Sequence, residues 1–217
     1  MVQPIVAKGF ELSNLRTAAV VALGLVLLSG CQRNQLLVQR SACPAVAVPN
    51  FTGDVTLLAN GGTSAADIDV VAAITNLRGV CNDGADRLGT NVSFDVLARR
   101  ASAQGTRTVT LPFFVSMVQG GNLLVSKQLG AVTISFADGQ LRAQATAGAH
   151  AEVDRAASTL NAAIQKKVNR VRKPGDLDAA TDPMADPEVK AAVRATTFEV
   201  LVGFQLSDEA LAYNADK

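Results

Sequence analysis

His150 is the only histidine of the chain, so any Ser-His-Asp or Cys-His catalytic mechanism would have to use it. Glu152 and Asp154 follow it closely, but one histidine with two carboxylates at this spacing is a weak metal-binding pattern. The sequence contains no G-x-S-x-G motif, which presents a nucleophilic serine on a sharp turn. We therefore expect a surface histidine beside a loop, and keep a hydrolase that uses His150 as an alternative.

Two pairs of aspartates, Asp67/Asp69 and Asp176/Asp178, have the residue type that glycoside hydrolysis requires. The first pair fits the entry and exposed face of a strand, and the second fits a solvated linker. No glycine-rich phosphate-binding motif of either common kind occurs in the sequence. The prediction is therefore a protein that is not an enzyme, with no catalytic residue, no metal site and no cofactor.

A cluster of cations is the most distinctive polar feature of the sequence. Five of the eight residues from 166 to 173 are basic: Lys166, Lys167, Arg170, Arg172 and Lys173. Such a cluster could contact acidic lipid headgroups or an acidic partner protein. The alternative is a helix terminus whose charge is balanced by the acidic residues that follow it.

The N-terminal 30 residues have the three parts of an export signal. Lys8 and Arg16 supply positive charge, and residues 17–29 form a continuous run of apolar and small side chains. Thirteen residues are too few for a helix to cross a bilayer, which needs about 20. A charged start, a short apolar run and small residues before a cleavage point instead predict a signal peptide with a signal helix.

The sequence Leu28-Ser29-Gly30-Cys31 at the end of this run resembles the lipobox of bacterial lipoproteins at all four positions. The resemblance is confined to residues 1–31. It implies diacylglycerol on the Cys31 sulfur, cleavage before Cys31 and acylation of the new amino group. Because Gln32 stands where inner-membrane lipoproteins often have Asp, the resemblance further implies an outer-membrane protein that faces the periplasm, if the source is Gram-negative.

With Cys31 lipidated, Cys43 and Cys81 remain. In an oxidising envelope compartment, the simplest prediction for a leftover pair is a disulfide that attaches the tether to the end of an early strand. Two free buried thiols or a metal site are the alternatives. Two cysteines and one histidine, however, fall short of the four ligands of a structural zinc site.

Composition excludes some classes of function. Loss of residues 1–30 removes Lys8, Arg16 and Glu11, which leaves 18 basic and 18 acidic residues of the original 20 and 19. A neutral chain has no overall field that attracts nucleic acid, so nucleic acid is not an expected partner. Eight Phe, one Tyr and no Trp provide few aromatic faces on which sugars or bases could stack.

Most of the mature sequence alternates between apolar and polar residues, which predicts strands with one buried face. The clearest runs are residues 67–81, 91–100, 106–118 and 196–206, with a shorter one at 55–58. Gly120-Gly121-Asn122 and Asp138-Gly139 supply the turn chemistry of tight hairpins. The predicted fold is mainly β, an antiparallel Ig-like sandwich of about seven or eight strands, with an open barrel as the alternative.

A helical segment interrupts this pattern before the last strand. Leu160, Ile164, Val168 and Val171 form one apolar stripe, with Asp154 as the predicted N-cap and Pro174-Gly175 as the predicted stop. A second short helix is predicted after Asp186, with Pro187 at its first position. A short turn is predicted from Ser207 onwards.

These features predict three regions: a signal peptide (1–30), a lipid anchor and tether (31–50), and one sandwich domain (51–217) with a helical insert at about 155–194. The leading hypothesis is a membrane-anchored envelope lipoprotein that acts as an interaction or scaffold module with an envelope protein partner. The alternative is a carrier of an apolar ligand or lipid, which would need a sizeable apolar cavity between the sheets.

Overall fold

The computed structural model describes residues 41–216, apart from the side chain of Asn60. The predicted signal helix, the Cys31 lipidation site and most of the tether lie outside these residues. Within the described part the protein is mainly β, with eight strands in two sheets. In chain order the strands are β1 (Ala45–Ala47), β2 (Asp54–Leu58), β3 (Ile68–Asp83), β4 (Arg87–Arg100), β5 (Arg107–Gln119), β6 (Leu123–Phe136), β7 (Arg142–Asp154) and β8 (Phe198–Phe204).

Each sheet contains four strands, which pair in the orders β1-β8-β5-β6 and β2-β3-β4-β7. All pairings are antiparallel except that of β1 with β8, which is parallel. The two sheets pack as a sandwich because the buried side chains alternate along their strands. The coarse expectation of a β-sandwich is thus met.

The core between the sheets is filled by large side chains. Phe94 and Phe113 meet edge to face, with their ring centroids 5.1 Å apart. The other large core residues that are almost fully buried include Phe136, Phe204, Leu88, Leu111, Met117 and Ile134. Close packing of this kind makes the core sensitive to any change in side-chain volume.

The sandwich has two ends, which we name by their position relative to the helices. At the insert end, β7 finishes at Asp154 and β8 begins at Phe198. At the distal end, β4 finishes beside the start of β7, where Arg99 pairs with Arg142. Because β1 runs parallel to β8, the chain also enters the sandwich at the insert end.

Helices α1 (Arg155–Ser158), α2 (Ala162–Val168) and α3 (Pro187–Ala195) lie between β7 and β8, and α4 (Asp208–Ala215) follows β8. The single long helix predicted after Asp154 is wrong, because the chain is extended at Thr159 and a new helix begins after Asn161. Hydroxyl groups of Ser158 and Thr159 bond to the Arg155 carbonyl, and the Asn161 side chain caps the Ile164 amide.

The caps predicted for that helix also differ from the structure. Asp154 makes no capping hydrogen bond, and α2 ends at Val168, well before Pro174-Gly175. By contrast, Asp186 caps α3 through the Glu188 amide, with Pro187 in the first position as predicted. The C-terminal segment is a full helix rather than a short turn, and it is capped by Ser207.

Two strand boundaries depart from the sequence-based expectation. Residues 45–47 were assigned to the tether, but they form β1, which at three residues is too short for an alternating pattern to be detected. Residues 123–125 and 132–136, which read in the sequence as two separate apolar runs on either side of a polar stretch, belong to one continuous strand, β6. Its first half is exposed on both faces, so it has no alternating pattern.

Candidate functional site

The helical insert, residues 155–195, has a small apolar core of its own. Ile164 of α2 and Val189 of α3 are almost fully buried, and they pack with Leu160. The insert is fixed to the sandwich at its beginning by Arg155, which donates to the Gly84 carbonyl and pairs with Asp83. It therefore presents a defined surface at the insert end, rather than a loose loop.

Lys167, a member of the cationic cluster, binds acidic residues of the same insert. Its ammonium group lies 2.6 Å from the Glu188 carboxylate and 3.4 Å from that of Asp186. The hydrogen bond to Glu188 raises the pKa of Lys167 above its ordinary value, and the nearby Asp186 adds to this. The pKa of Asp186 is lowered, chiefly because its carboxylate accepts a hydrogen bond from the Glu188 backbone amide.

Arg170 and Arg172 are also paired inside the insert. Arg170 lies 2.9 Å from Asp178 and 3.3 Å from Asp176, and Arg172 lies 3.5 Å from Asp178. The acidic stretch after the cluster thus faces three of its five cations, which is the balanced arrangement that the sequence left open. These pairs orient the loop; Arg170 is exposed and its partners Asp176 and Asp178 are about one-third exposed, so solvent screening limits what the pairs of Arg170 contribute to stability.

Lys166 and Lys173 differ from the other three cations. Both are exposed, and neither side chain has an ion pair within the described part of the chain. Three exposed apolar side chains lie on the same insert, and Leu177 among them is fully exposed; the other two are Val171 and Met184. Unpaired cations and exposed apolar groups on the same insert supply the chemistry best suited to a contact, and we name these five residues the insert surface.

Cys43 and Cys81 form a disulfide, with their Cα atoms 6.0 Å apart. Cys43 lies just before β1 of one sheet, and Cys81 lies two residues before the end of β3 of the other sheet. The bond therefore joins the two sheets at the insert end. It also fixes the point at which the chain enters the sandwich.

Replacement of both cysteines, Cys43→Ser with Cys81→Ser, is expected to lower the free energy of unfolding by about 4 kcal/mol, because the bond closes a loop of about 40 residues in the unfolded chain. Urea unfolding of the variant and of the unreduced protein measures this difference. A loss below about 1 kcal/mol, or two free thiols in the exported protein by non-reducing mass spectrometry, would contradict the assignment.

His150 lies on the exposed face of β7, four residues before the strand ends, rather than beside a loop. Its Nδ1 is 2.8 Å from the Asn91 Oδ1, and its Nε2 is 3.0 Å from the Glu152 carboxylate. The pKa of Glu152 is lowered, first by the hydrogen bond from His150 and then by that from Arg87. Neither ring nitrogen contacts a serine or cysteine among residues 41–216, so the structure brings no nucleophile to His150.

The paired aspartates are not brought together as catalytic pairs. Asp69 forms a two-pronged contact with Arg107, which lowers the pKa of its carboxyl group, whereas Asp67 accepts hydrogen bonds from Ser64. Asp176 and Asp178 both bind Arg170. Across the described residues, no group of three or more His, Cys, Asp or Glu side chains is placed to hold a metal ion.

Sequence reasoning missed one residue of clear structural importance, Arg100. It is almost fully buried, and its guanidinium group donates to four main-chain carbonyl oxygens, those of Gln140, Gln104, Ala103 and Ala137. It also lies over the Phe136 ring, 5.3 Å from the centroid. Arg100 thereby ties together the two turns of the distal end, which precede β5 and β7.

Comparison with protein-family models, with curated proteins and with solved structures gave no match to this chain. The helices of the described region are all too short or too polar to span a membrane.

Proposed function

We propose that the protein is a non-enzymatic lipoprotein of the cell envelope, which is anchored by acyl chains on Cys31 and acts as an interaction or scaffold module. The observation that carries the proposal is the sequence Leu-Ser-Gly-Cys at residues 28–31, at the end of a short apolar run. In a Gram-negative envelope, Gln32 directs the protein to the outer membrane, where it faces the periplasm.

The position of the insert supports a role at the membrane. Eleven residues lie between Cys31 and Cys43, so an extended tether reaches at most about 40 Å. Cys43 is held at the insert end by its disulfide. A sandwich on so short a tether keeps its insert end within reach of the membrane, and the helical insert emerges from that end.

The insert surface has the chemistry of a contact with lipid headgroups or with an envelope protein. Lys166 and Lys173 can approach acidic groups, since they have no acidic partner in the described chain. The exposed side chain of Leu177, which belongs to the same insert as these lysines, can enter an apolar environment. We propose this surface as the place where the partner binds.

A photo-crosslinking residue in place of Leu177 tests this surface in intact cells. The same residue in place of Ser102, which is exposed at the distal end, is the matched control. We expect adducts with lipid or with one envelope protein from position 177 and not from position 102. Equal patterns from the two positions, or adducts only from position 102, would defeat the proposal.

Neutralising the unpaired cations gives a second prediction. Lys166→Gln with Lys173→Gln is expected to reduce the yield of adducts at position 177 several-fold, while the protein stays folded because neither side chain pairs with the insert. Lys190→Gln, an exposed lysine on α3, is the control and should leave the yield unchanged. An unaltered yield in the double variant would assign the contact to the apolar residues alone.

The other two functions have less support from the structure. A carrier of an apolar ligand needs space between the sheets, but this core is filled by phenylalanine side chains. A cleft beside Val55, Leu111 and Phe204 has a volume of only about 200 Å³ and opens to solvent. A hydrolase centred on His150 would need a nucleophile, and replacement of His150 by Ala without any phenotype would count against it.

We also propose that the sandwich is Ig-like in architecture rather than in strand order. Two packed antiparallel sheets of about the expected number of strands support this wider class. In Ig constant domains the first, second, fifth and fourth strands share a sheet, whereas here β2, β3 and β4 are neighbours. An experimental structure of the exported protein would decide how far the likeness extends.

A further inference from the structure

The distal end carries two arginines in an unfavourable position. Arg99 of β4 and Arg142 of β7 are direct cross-strand partners, and both side chains are exposed on the outer face of their sheet. Across residues 41–216 neither guanidinium group has a hydrogen bond or an ion pair. Like charges that lie directly opposite each other destabilise a sheet, so this pair lacks a compensating anion.

The two arginines line a shallow cleft that is widely open to solvent. Its other lining residues are Gln140 and Leu141, and its volume is about 520 Å³. Gln140 offers a side-chain amide, and its backbone carbonyl is already occupied by Arg100. Three side chains, those of Arg99, Arg142 and Gln140, therefore offer hydrogen-bond donors to a ligand in the cleft.

The charge at this end is not balanced by its neighbours. The guanidinium group of Arg100 is buried beside the cleft and bonds to carbonyl oxygens, with no carboxylate partner in the described chain. The carboxylate of Asp69 is paired with Arg107, whereas those of Asp67 and Asp138 accept hydrogen bonds only from neutral groups and keep their charge. The four arginines of this end, Arg99, Arg100, Arg107 and Arg142, still outnumber these three carboxylates. A buried positive charge under an exposed pair of the same sign strengthens the attraction for an anion.

We propose that this cleft binds a phosphate group, held between Arg99 and Arg142. A guanidinium group presents a rigid fork of donors that matches phosphate oxygens in pairs. Side chains of directly opposite residues start about 5 Å apart, so both forks can reach one tetrahedral anion. The flank of the cleft is apolar, because Leu141, Leu97 and Val71 are partly exposed there.

The apolar flank defines the class of ligand further, as a phosphate monoester with an apolar substituent, such as phosphatidic acid. Free phosphate shares the charged part of this chemistry and would lack the apolar contact. The inference is independent of the anchor at Cys31, since it concerns the end of the sandwich opposite to the tether.

Calorimetric titration of the purified full chain tests the inference, with inorganic phosphate in one arm and dihexanoyl phosphatidic acid below its micellar concentration in the other. We expect saturable binding at a single site, tighter for the phosphatidic acid. Arg99→Gln and Arg142→Gln should each weaken binding at least tenfold. Arg78→Gln, which removes an exposed arginine from the same face at the insert side, should bind like the unaltered protein.

Thermal unfolding at constant ionic strength provides the second readout. Phosphate is expected to raise the Tm of the unaltered protein and of Arg78→Gln, but not that of either cleft variant. Without phosphate, Arg99→Gln should melt no lower than the unaltered protein, since it removes a repulsion. Absence of saturable binding in both arms, or binding that persists unchanged in both cleft variants, would overturn the inference.

Discussion

Cys31→Ala is expected to release the protein from the membrane fraction. The physical reason is the size of the anchor, since each acyl CH₂ in the bilayer contributes about 0.8 kcal/mol and two or three long chains contribute on the order of tens of kcal/mol. Fractionation followed by an alkaline wash measures the effect.

The control for this prediction is the pair Cys43→Ser and Cys81→Ser, which leaves the proposed lipidated cysteine in place. This control should stay with the membrane even if it is less stable, because its anchor is intact. If Cys31→Ala remained as firmly bound as the unaltered protein, the anchor would lie elsewhere.

Arg100→Met is expected to lower the free energy of unfolding by about 3–5 kcal/mol, the largest change that we expect from a single side chain of the sandwich. Methionine fills a similar volume but donates no hydrogen bond. The carbonyl oxygens of Gln140, Ala103 and Ala137, which lie 2.7, 2.8 and 3.0 Å from the guanidinium nitrogens, would lose their donors. These hydrogen bonds are partly buried and come from a charged donor, so their loss is costly, and the two distal turns would also lose their connection.

Urea unfolding of Arg100→Met, beside Arg99→Met as a control, measures this effect. Arg99 is the adjacent residue but is exposed and unpaired, so its replacement should change the stability by less than about 1 kcal/mol. Arg100→Lys should fall between the two, because one ammonium group cannot reach all the carbonyls that the guanidinium group contacts. Equal stability of Arg100→Met and the unaltered protein would show that the carbonyls find other donors.

Strict alternation allowed the long strands to be predicted, since a sheet that buries one face requires apolar residues at every second position. The same alternation extends to Arg100 at the end of β4. Val92, Phe94, Val96 and Ala98 share the buried face of β4, and the same parity places Arg100 on that face. Because an arginine at a strand end is usually exposed, the sequence alone does not show that the buried face of β4 includes Arg100. The hydrogen bonds of the Arg100 guanidinium group in the folded structure show it.

Other features could not follow from local sequence. Arg99 and Arg142 lie opposite each other because of the register between β4 and β7. The end of β4 and the start of β7 are 42 residues apart in the sequence, so no local pattern predicts this register. The break in the helix after Ser158 results from a competition between an apolar stripe and local side-chain hydrogen bonds. The spacing of the four apolar residues Leu160, Ile164, Val168 and Val171 indicated only the apolar stripe, and it gave no sign of the side-chain hydrogen bonds that end the first helix.

The role of the cationic cluster is a third feature that the sequence alone could not decide. Sequence left open whether it was a contact surface or a balanced helix terminus, because the acidic residues after it could lie near it or far away. The structure pairs Lys167, Arg170 and Arg172 with those residues and leaves Lys166 and Lys173 exposed. The cluster is therefore divided between the two roles, a result that depends on how the loop folds.

The proposed lipid anchor is tested by the mass of the N-terminal peptide of the protein isolated from membranes. We expect a chain that begins at Cys31 and carries the mass of a diacylglycerol group on sulfur, with a further acyl chain where the amino group is modified. An unmodified Cys31, or a chain that still begins before residue 31, would contradict it.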